Sequence, residues 1–143
     1  MSNLIKHIAF KVADIEKERA FYENVFGYQH VNTVRRTGKR GDHISCHLTD
    51  GYIDLALIQY ASSDSDEADF AGEGPCIHHI GMEVDDLDAF IRKITENGGE
   101  ILTEPGHIPV KFRSPGGPVA EVVPHDRWKK KTLAEGGHGE VLS

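Results

Sequence analysis

His7 and His79 occupy matching places in two strand-like runs, and they stand 72 residues apart. Val12 and Val84, Asp14 and Asp86, and Gly27 and Gly99 share that offset. Four matches at one spacing indicate a duplicated unit. A lone strand histidine is more often a satisfied packing residue, but an imidazole also ligates metals and carries protons near neutral pH. The repeat turns two histidines into a candidate site. Glu121 is the third candidate. It sits inside the apolar run Val119-Ala120-Glu121-Val122-Val123, and a carboxylate buried there calls for a cation or a proton.

The elements that must position these residues follow from periodicity. Residues 5–12 alternate as a strand, Asp14 can cap a helix, and Gly27 can close it in a left-handed conformation. Ala20, Phe21, Val25 and Phe26 are expected to form the buried face of that helix. Residues 28–35, 43–48 and 52–59 read as three further strands, the last two joined at Asp50-Gly51, a strong hairpin signal. The second half repeats this order. It has a strand over 77–84, a helix from Asp86 to about Asn97, a strand from Glu100 to Thr103, and a hairpin of 108–113 with 118–124. The chain thus divides into a first βαβββ unit (1–60), an acidic linker (61–75), a second βαβββ unit (76–125) and a charged, glycine-rich tail (126–143), expected to form one domain.

Composition excludes several roles. The 143 residues carry a net charge of −7, and apart from Lys129-Lys130-Lys131 the basic residues are dispersed, which argues against a nucleic-acid surface. Neither a signal-peptide core nor a membrane-length apolar run is present. Cys46 and Cys76 are too few for a disulfide framework or a thiolate zinc site. A cytoplasmic protein with a small-molecule partner, and without nucleic-acid or membrane partners, is expected.

Two tandem βαβββ units, each opening with a histidine, resemble the vicinal oxygen chelate superfamily. That superfamily includes glyoxalase I, methylmalonyl-CoA epimerase, fosfomycin and bleomycin resistance proteins, and extradiol dioxygenases. The resemblance spans about residues 4–126 and is carried by Lys6-His7-Ile8-Ala9-Phe10, His78-His79-Ile80-Gly81-Met82-Glu83-Val84 and Ala120-Glu121-Val122-Val123-Pro124. It implies an α+β fold whose two units curl mixed sheets around a shared cavity. It also implies a homodimer in many members and a divalent metal (Zn, Ni, Co, Mn or Fe) held by His7, His79 and Glu121. His79 rather than His78 matches His7, and adjacent strand residues point to opposite faces, so His78 is expected to turn away. The fourth position that glyoxalases and epimerases fill with a carboxylate or amide falls here at Ala56.

The chemistry implied is that of a lyase or isomerase in which a metal polarises a carbonyl or enediolate while a base shifts a proton, with Glu121 doubling as base. His47 is a second candidate base. A two-residue turn at Asp50-Gly51 would pair His47 with Asp54 and Ser45 with Ala56, placing all four on the cavity face. The same two histidines and glutamate also resemble the iron triad of the extradiol dioxygenases. However, Lys111 stands where their tyrosine would fall, so that signature is incomplete. Lys111 and Arg113 could neutralise an anionic substrate, but they read by default as exposed hairpin charges. A ligand-sequestering protein without catalysis is the third reading, favoured if Glu121 pairs with a lysine or arginine.

Overall fold

The structure is a computed structural model that describes residues 3–37, 41–62, 65–128 and 140–142. His138 and the lysine run at 129–131 lie outside them. In chain order the first half comprises β1 (Ile5–Lys11), α1 (Ile15–Phe26), β2 (Gln29–Arg36), β3 (His43–Thr49) and β4 (Asp54–Tyr60). The second half comprises β5 (Cys76–Val84), α2 (Leu87–Glu96), β6 (Glu100–Ile101), β7 (Val110–Arg113) and β8 (Val119–Pro124), followed by β9 (Glu140–Leu142). All strands belong to one mixed sheet in the order β6-β7-β8-β5-β1-β4-β3-β2-β9. This is the α+β arrangement of two βαβββ units, with β9 added at the β2 edge.

The repeat is visible in the pairing. β1 runs parallel to β4 with Ala9 opposite Ala56, and β5 runs parallel to β8 with Gly81 opposite Glu121. Ala9 and Gly81 are 72 residues apart, so Ala56 is the structural counterpart of Glu121. The two units meet where β1 and β5 pair antiparallel. His7 and His79 therefore stand on neighbouring central strands.

Alternation along the strands sends apolar residues to the helices and polar ones to the cavity. Leu55, Leu57, Cys46, Leu48 and Val12 pack beneath α1, with Ile8, Phe10 and Tyr22 against them. Val84, Val110 and Val122 pack beneath α2 through Leu87, Phe90, Ile91 and Ile94. The opposite face of β1 buries His7, Ala9 and Lys11. Asp14 caps α1 by accepting from the backbone N–H groups of Glu16 and Lys17, and Gly27 closes it at φ 70°. Asp86 caps α2 by accepting from Ala89 N–H.

The buried face expected for α1 is corrected. Phe21, Val25 and Phe26 are more than half exposed, and Ile15 and Tyr22 face the core instead. Ile15 and Tyr22 lie seven positions apart, two helical turns, and so share one stripe. Phe21 and Phe26 pack on each other outside it, with ring centroids 6.2 Å apart.

Candidate metal centre

The site assembles where β1, β5 and β8 lie side by side. His7 Nε2 is 3.1 Å from His79 Nε2. Glu121 brings Oε1 to 3.1 Å from His79 Nε2 and Oε2 to 3.7 Å from His7 Nε2. The three side chains are buried, and their ligand atoms lie within 4.8 Å of one another. The sequence-predicted triad thus converges within one chain.

Second partners fix which nitrogen of each ring carries the proton. His7 Nδ1 is 2.6 Å from Asp54 Oδ2. A carboxylate only accepts, so Nδ1–H donates, and in the neutral ring the His7 lone pair sits on Nε2. His78 Nε2 lies 2.5 Å from the carbonyl oxygen of Glu67, which also only accepts. His78 must therefore donate from Nε2, which leaves its Nδ1 as an acceptor. His79 Nδ1, 2.7 Å away, donates to it and turns its own lone pair to Nε2. Burial lowers the pKa of His79 to about 4, with Glu121 opposing, and lowers that of His78. Both rings are neutral at pH 7.

Two imidazole lone pairs and a carboxylate therefore face one point at close range. Such an arrangement repels itself unless a cation lies between. Two nitrogens held cis on one ion at about 2.0–2.1 Å stand roughly 3 Å apart, and His7 and His79 have that separation. The donor set suits a divalent transition metal such as zinc, or the facial triad of non-haem iron.

The expectation that His78 turns away is corrected. The register between β1 and β5 slips between Ala9 and Phe10, which pair with His79 and Ile77. His78 is the extra residue of this bulge, and a bulge re-aims side chains. His78 is buried and acts as the outer partner of His79.

Lys111 is corrected as well. It is buried rather than exposed, lies opposite Glu121 in the β7–β8 ladder, and places Nζ 3.0 Å from Glu121 Oε1 and 2.9 Å from Glu67 Oε1. Burial alone would lower its pKa, but Glu121 and Glu67 outweigh that and raise it. Burial pushes Glu121 the other way, yet the positive charge of His79 when it is protonated, and that of Lys111, hold it well below the usual carboxylate range. Asp54 is likewise held low, because His47 and His7 overcome its burial. Glu67 and Glu121 are thus both held as carboxylates on the shared ammonium of Lys111, and Asp54 as the carboxylate shared by His7 and His47.

The β3–β4 connection differs from the expected two-residue turn. Asp50 Oδ1 accepts from the N–H groups of Tyr52 and Ile53, making a four-residue loop. Thr49 then pairs with Asp54, His47 with Ala56, and Ser45 with Ile58. The register moves by two, so every side chain keeps its face. His47 accordingly lines the cavity, with Nδ1 2.8 Å from Asp54 Oδ1. One carboxylate thus orients both His7 and His47. His47 sits beside Ala56, outside the compact triad of ligand atoms.

Three contributors escaped the sequence reading. Glu67 reaches the cavity from the segment between the units. That segment is tied to the sheet where its backbone carbonyls accept from Lys11 (Ala68 and Gly72), His78 (Glu67) and Arg113 (Phe70). Arg127 and Trp128 come from the span read as a tail. The indole of Trp128 stacks on His7 with centroids 4.8 Å apart and planes at 6°. A solitary tryptophan in a charged stretch was the available signal. The cavity measures about 390 Å³ and holds the triad, His47 and Lys111 on its walls.

Comparison with known proteins fits this geometry. The Glyoxalase/Bleomycin resistance protein/Dioxygenase superfamily matches residues 4–117. The chain belongs to that superfamily. Mitochondrial methylmalonyl-CoA epimerase of Bos taurus is 30% identical over 124 residues, covering 85% of this chain and 67% of that protein. Methylmalonyl-CoA epimerase from Mycobacterium tuberculosis has a similar fold, with a TM-score of 0.67 at 22% identity over 90% of this chain and 95% of that one. A mutant of 4-hydroxymandelate synthase from Streptomyces coelicolor gives a TM-score of 0.72 at 20% identity, over 87% of this chain and 38% of that one. None of the described helices is long and apolar enough to cross a membrane.

Proposed function

We propose that this chain is a metal-dependent lyase or isomerase of the glyoxalase type, which moves a proton at a carbon next to a carbonyl. The observation that carries the proposal is the convergence of the His7 and His79 lone pairs on Glu121, with both tautomers set by outer partners. When bound, the ion would act as a Lewis acid on the oxygen that gains charge in the transition state. His47 is assigned as the base. Its Nδ1–H donates to Asp54, so its basic lone pair lies at Nε2, and the Asp54 carboxylate stabilises the imidazolium formed when it takes a proton. Glu121, held low and engaged with His79 and Lys111, is the weaker base. Similarity to methylmalonyl-CoA epimerase supports a carbon acid beside a carbonyl as substrate.

The test combines metal analysis of purified wild type and His79→Ala with deuterium wash-in at C2 of methylmalonyl-CoA in D2O. One divalent ion per wild-type chain, lost in His79→Ala, is expected, with exchange that His47→Ala abolishes. Equal metal content in the two proteins sinks the site. Oxygen consumption on catechols with Fe(II) would instead mark an extradiol-type dioxygenase using the same triad.

One contact favours a second reading. The Lys111 ammonium, 3.0 Å from Glu121, supplies positive charge where an ion would otherwise supply it. A protein that sequesters a ligand without turnover has that use for it. Tight ligand binding unchanged by chelator and unaccompanied by exchange would establish this reading.

A further inference from the structure

The guanidinium groups of Arg36 and Arg127 border the same cavity as the triad. Arg36 closes β2, and Arg127 lies just beyond β8 and next to the Trp128 indole that covers His7. Both are half-buried. Among the described residues, neither side chain has a hydrogen bond or ion pair, and Arg127 Nε is a buried donor without any partner. Arg127 is close enough to act on Arg36: burial and then Arg127 lower the Arg36 pKa, with Glu67 and Glu121 opposing. Of the carboxylates on the cavity wall, Glu67 and Glu121 form their ion pairs with Lys111 and act on the arginines only at longer range, and Glu104 stands exposed to solvent.

Two like-charged guanidiniums, partly desolvated and unpaired, are unfavourable without an anion between them. Their planar forks match a carboxylate or a phosphoryl group in a bidentate manner. At about 390 Å³ the cavity lies near the lower end of the range for small-molecule pockets, roughly 300–1,000 Å³. A ligand that fills it touches the arginine wall and the triad together.

We infer that Arg36 and Arg127 form an oxyanion subsite, so that the substrate carries a carboxylate or phosphoryl group separate from the oxygen that approaches His7, His79 and Glu121. This rests on the reading of the triad as the reacting end of the cavity. The subsite itself consists only of the two arginines and so is measurable without metal.

The experiment is calorimetric titration of chelator-treated full-length protein with succinate and, separately, with methylphosphonate. One of the two is expected to bind at least tenfold more tightly than the other, which identifies the oxyanion. Arg36→Gln and Arg127→Gln should each weaken that probe at least fivefold, and Arg36→Lys and Arg127→Lys should recover part of the loss. Absence of binding by both probes overturns the subsite, as does equal binding to the Arg36→Gln/Arg127→Gln double variant. Should a glutamine variant fail to fold, the lysine variants decide, because a subsite predicts weaker but retained binding and a bystander predicts no change. Failure of the metal reading registers separately, as unchanged metal content in His79→Ala.

Discussion

Asp54 takes the Nδ1 proton of His7 into a hydrogen bond of 2.6 Å, which turns His7 Nε2 towards His79 and Glu121. The second oxygen of the same carboxylate engages His47 at 2.8 Å. In Asp54→Asn one of the two rings meets an amide N–H instead of an acceptor. Metal affinity should fall about 10–100-fold, the usual effect of losing an outer-sphere carboxylate. Competition with a chromophoric chelator measures it. An affinity within twofold of wild type would show that Asp54 does not set the His7 tautomer.

Gly81 makes room for the tryptophan. A Cβ there would fall 2.5 Å from Trp128 Cη2 and 3.1 Å from His7 Cβ. Gly81→Ala should displace the indole from His7 and destabilise the protein by about 1–3 kcal/mol, the range for overpacking. Trp128 is the chain's single tryptophan, so its fluorescence reports the displacement directly and urea unfolding gives the energy. Unchanged emission would contradict the stacking.

Lys111 separates two buried carboxylates, Glu67 and Glu121. Lys111→Met removes the ammonium that forms an ion pair with both. The metal-free variant should lose about 3–5 kcal/mol, as expected when one member of a buried ion pair is deleted. A divalent ion should restore much of that loss, since it supplies charge to Glu121. Thermal unfolding with and without chelator distinguishes the outcomes. A variant equally unstable in both conditions would mean that no ion reaches Glu121.

The stability of the metal-free protein should depend on pH through His79. Burial lowers its pKa to about 4, against roughly 6.5 in the unfolded chain. Between these values the unfolded state binds the extra proton, so stability is complete above about pH 6.5 and falls as pH drops towards 4. The total is on the order of 3 kcal/mol. Asp54, held low, adds its own loss only below about pH 3.9. Denaturant unfolding across this range provides the slope, and His79→Gln should flatten it between pH 6.5 and 4. An unchanged slope in that variant would assign the effect to another group.

Much of the architecture was legible because it is written in periodicity and repetition. Caps at Asp14, Gly27 and Asp86, strand alternation and the 72-residue offset are local or arithmetic properties of the chain. The offset also marked His7 and His79, the apolar run around it marked Glu121, and the family resemblance placed Ala56 at the fourth position. Which face of α1 is buried was not legible. Aromatic residues fall on two of its sides, and only the docking of Ile15 and Tyr22 on the sheet chooses between them.

The sequence alone determined the duplicated fold and the three residues that can share a cation. Tertiary structure decided what surrounds them. The bulge that brings His78 behind His79, the pairing of Lys111 with Glu67 and Glu121, and the stacking of Trp128 on His7 all join residues far apart in the chain or out of strand register. Alternation gives the face of a side chain but carries no information on a bulge or on what a distant segment brings to that face. Proton positions at His7 and His79, and the charge balance around Glu121, depend on those distant partners, and three-dimensional packing sets them.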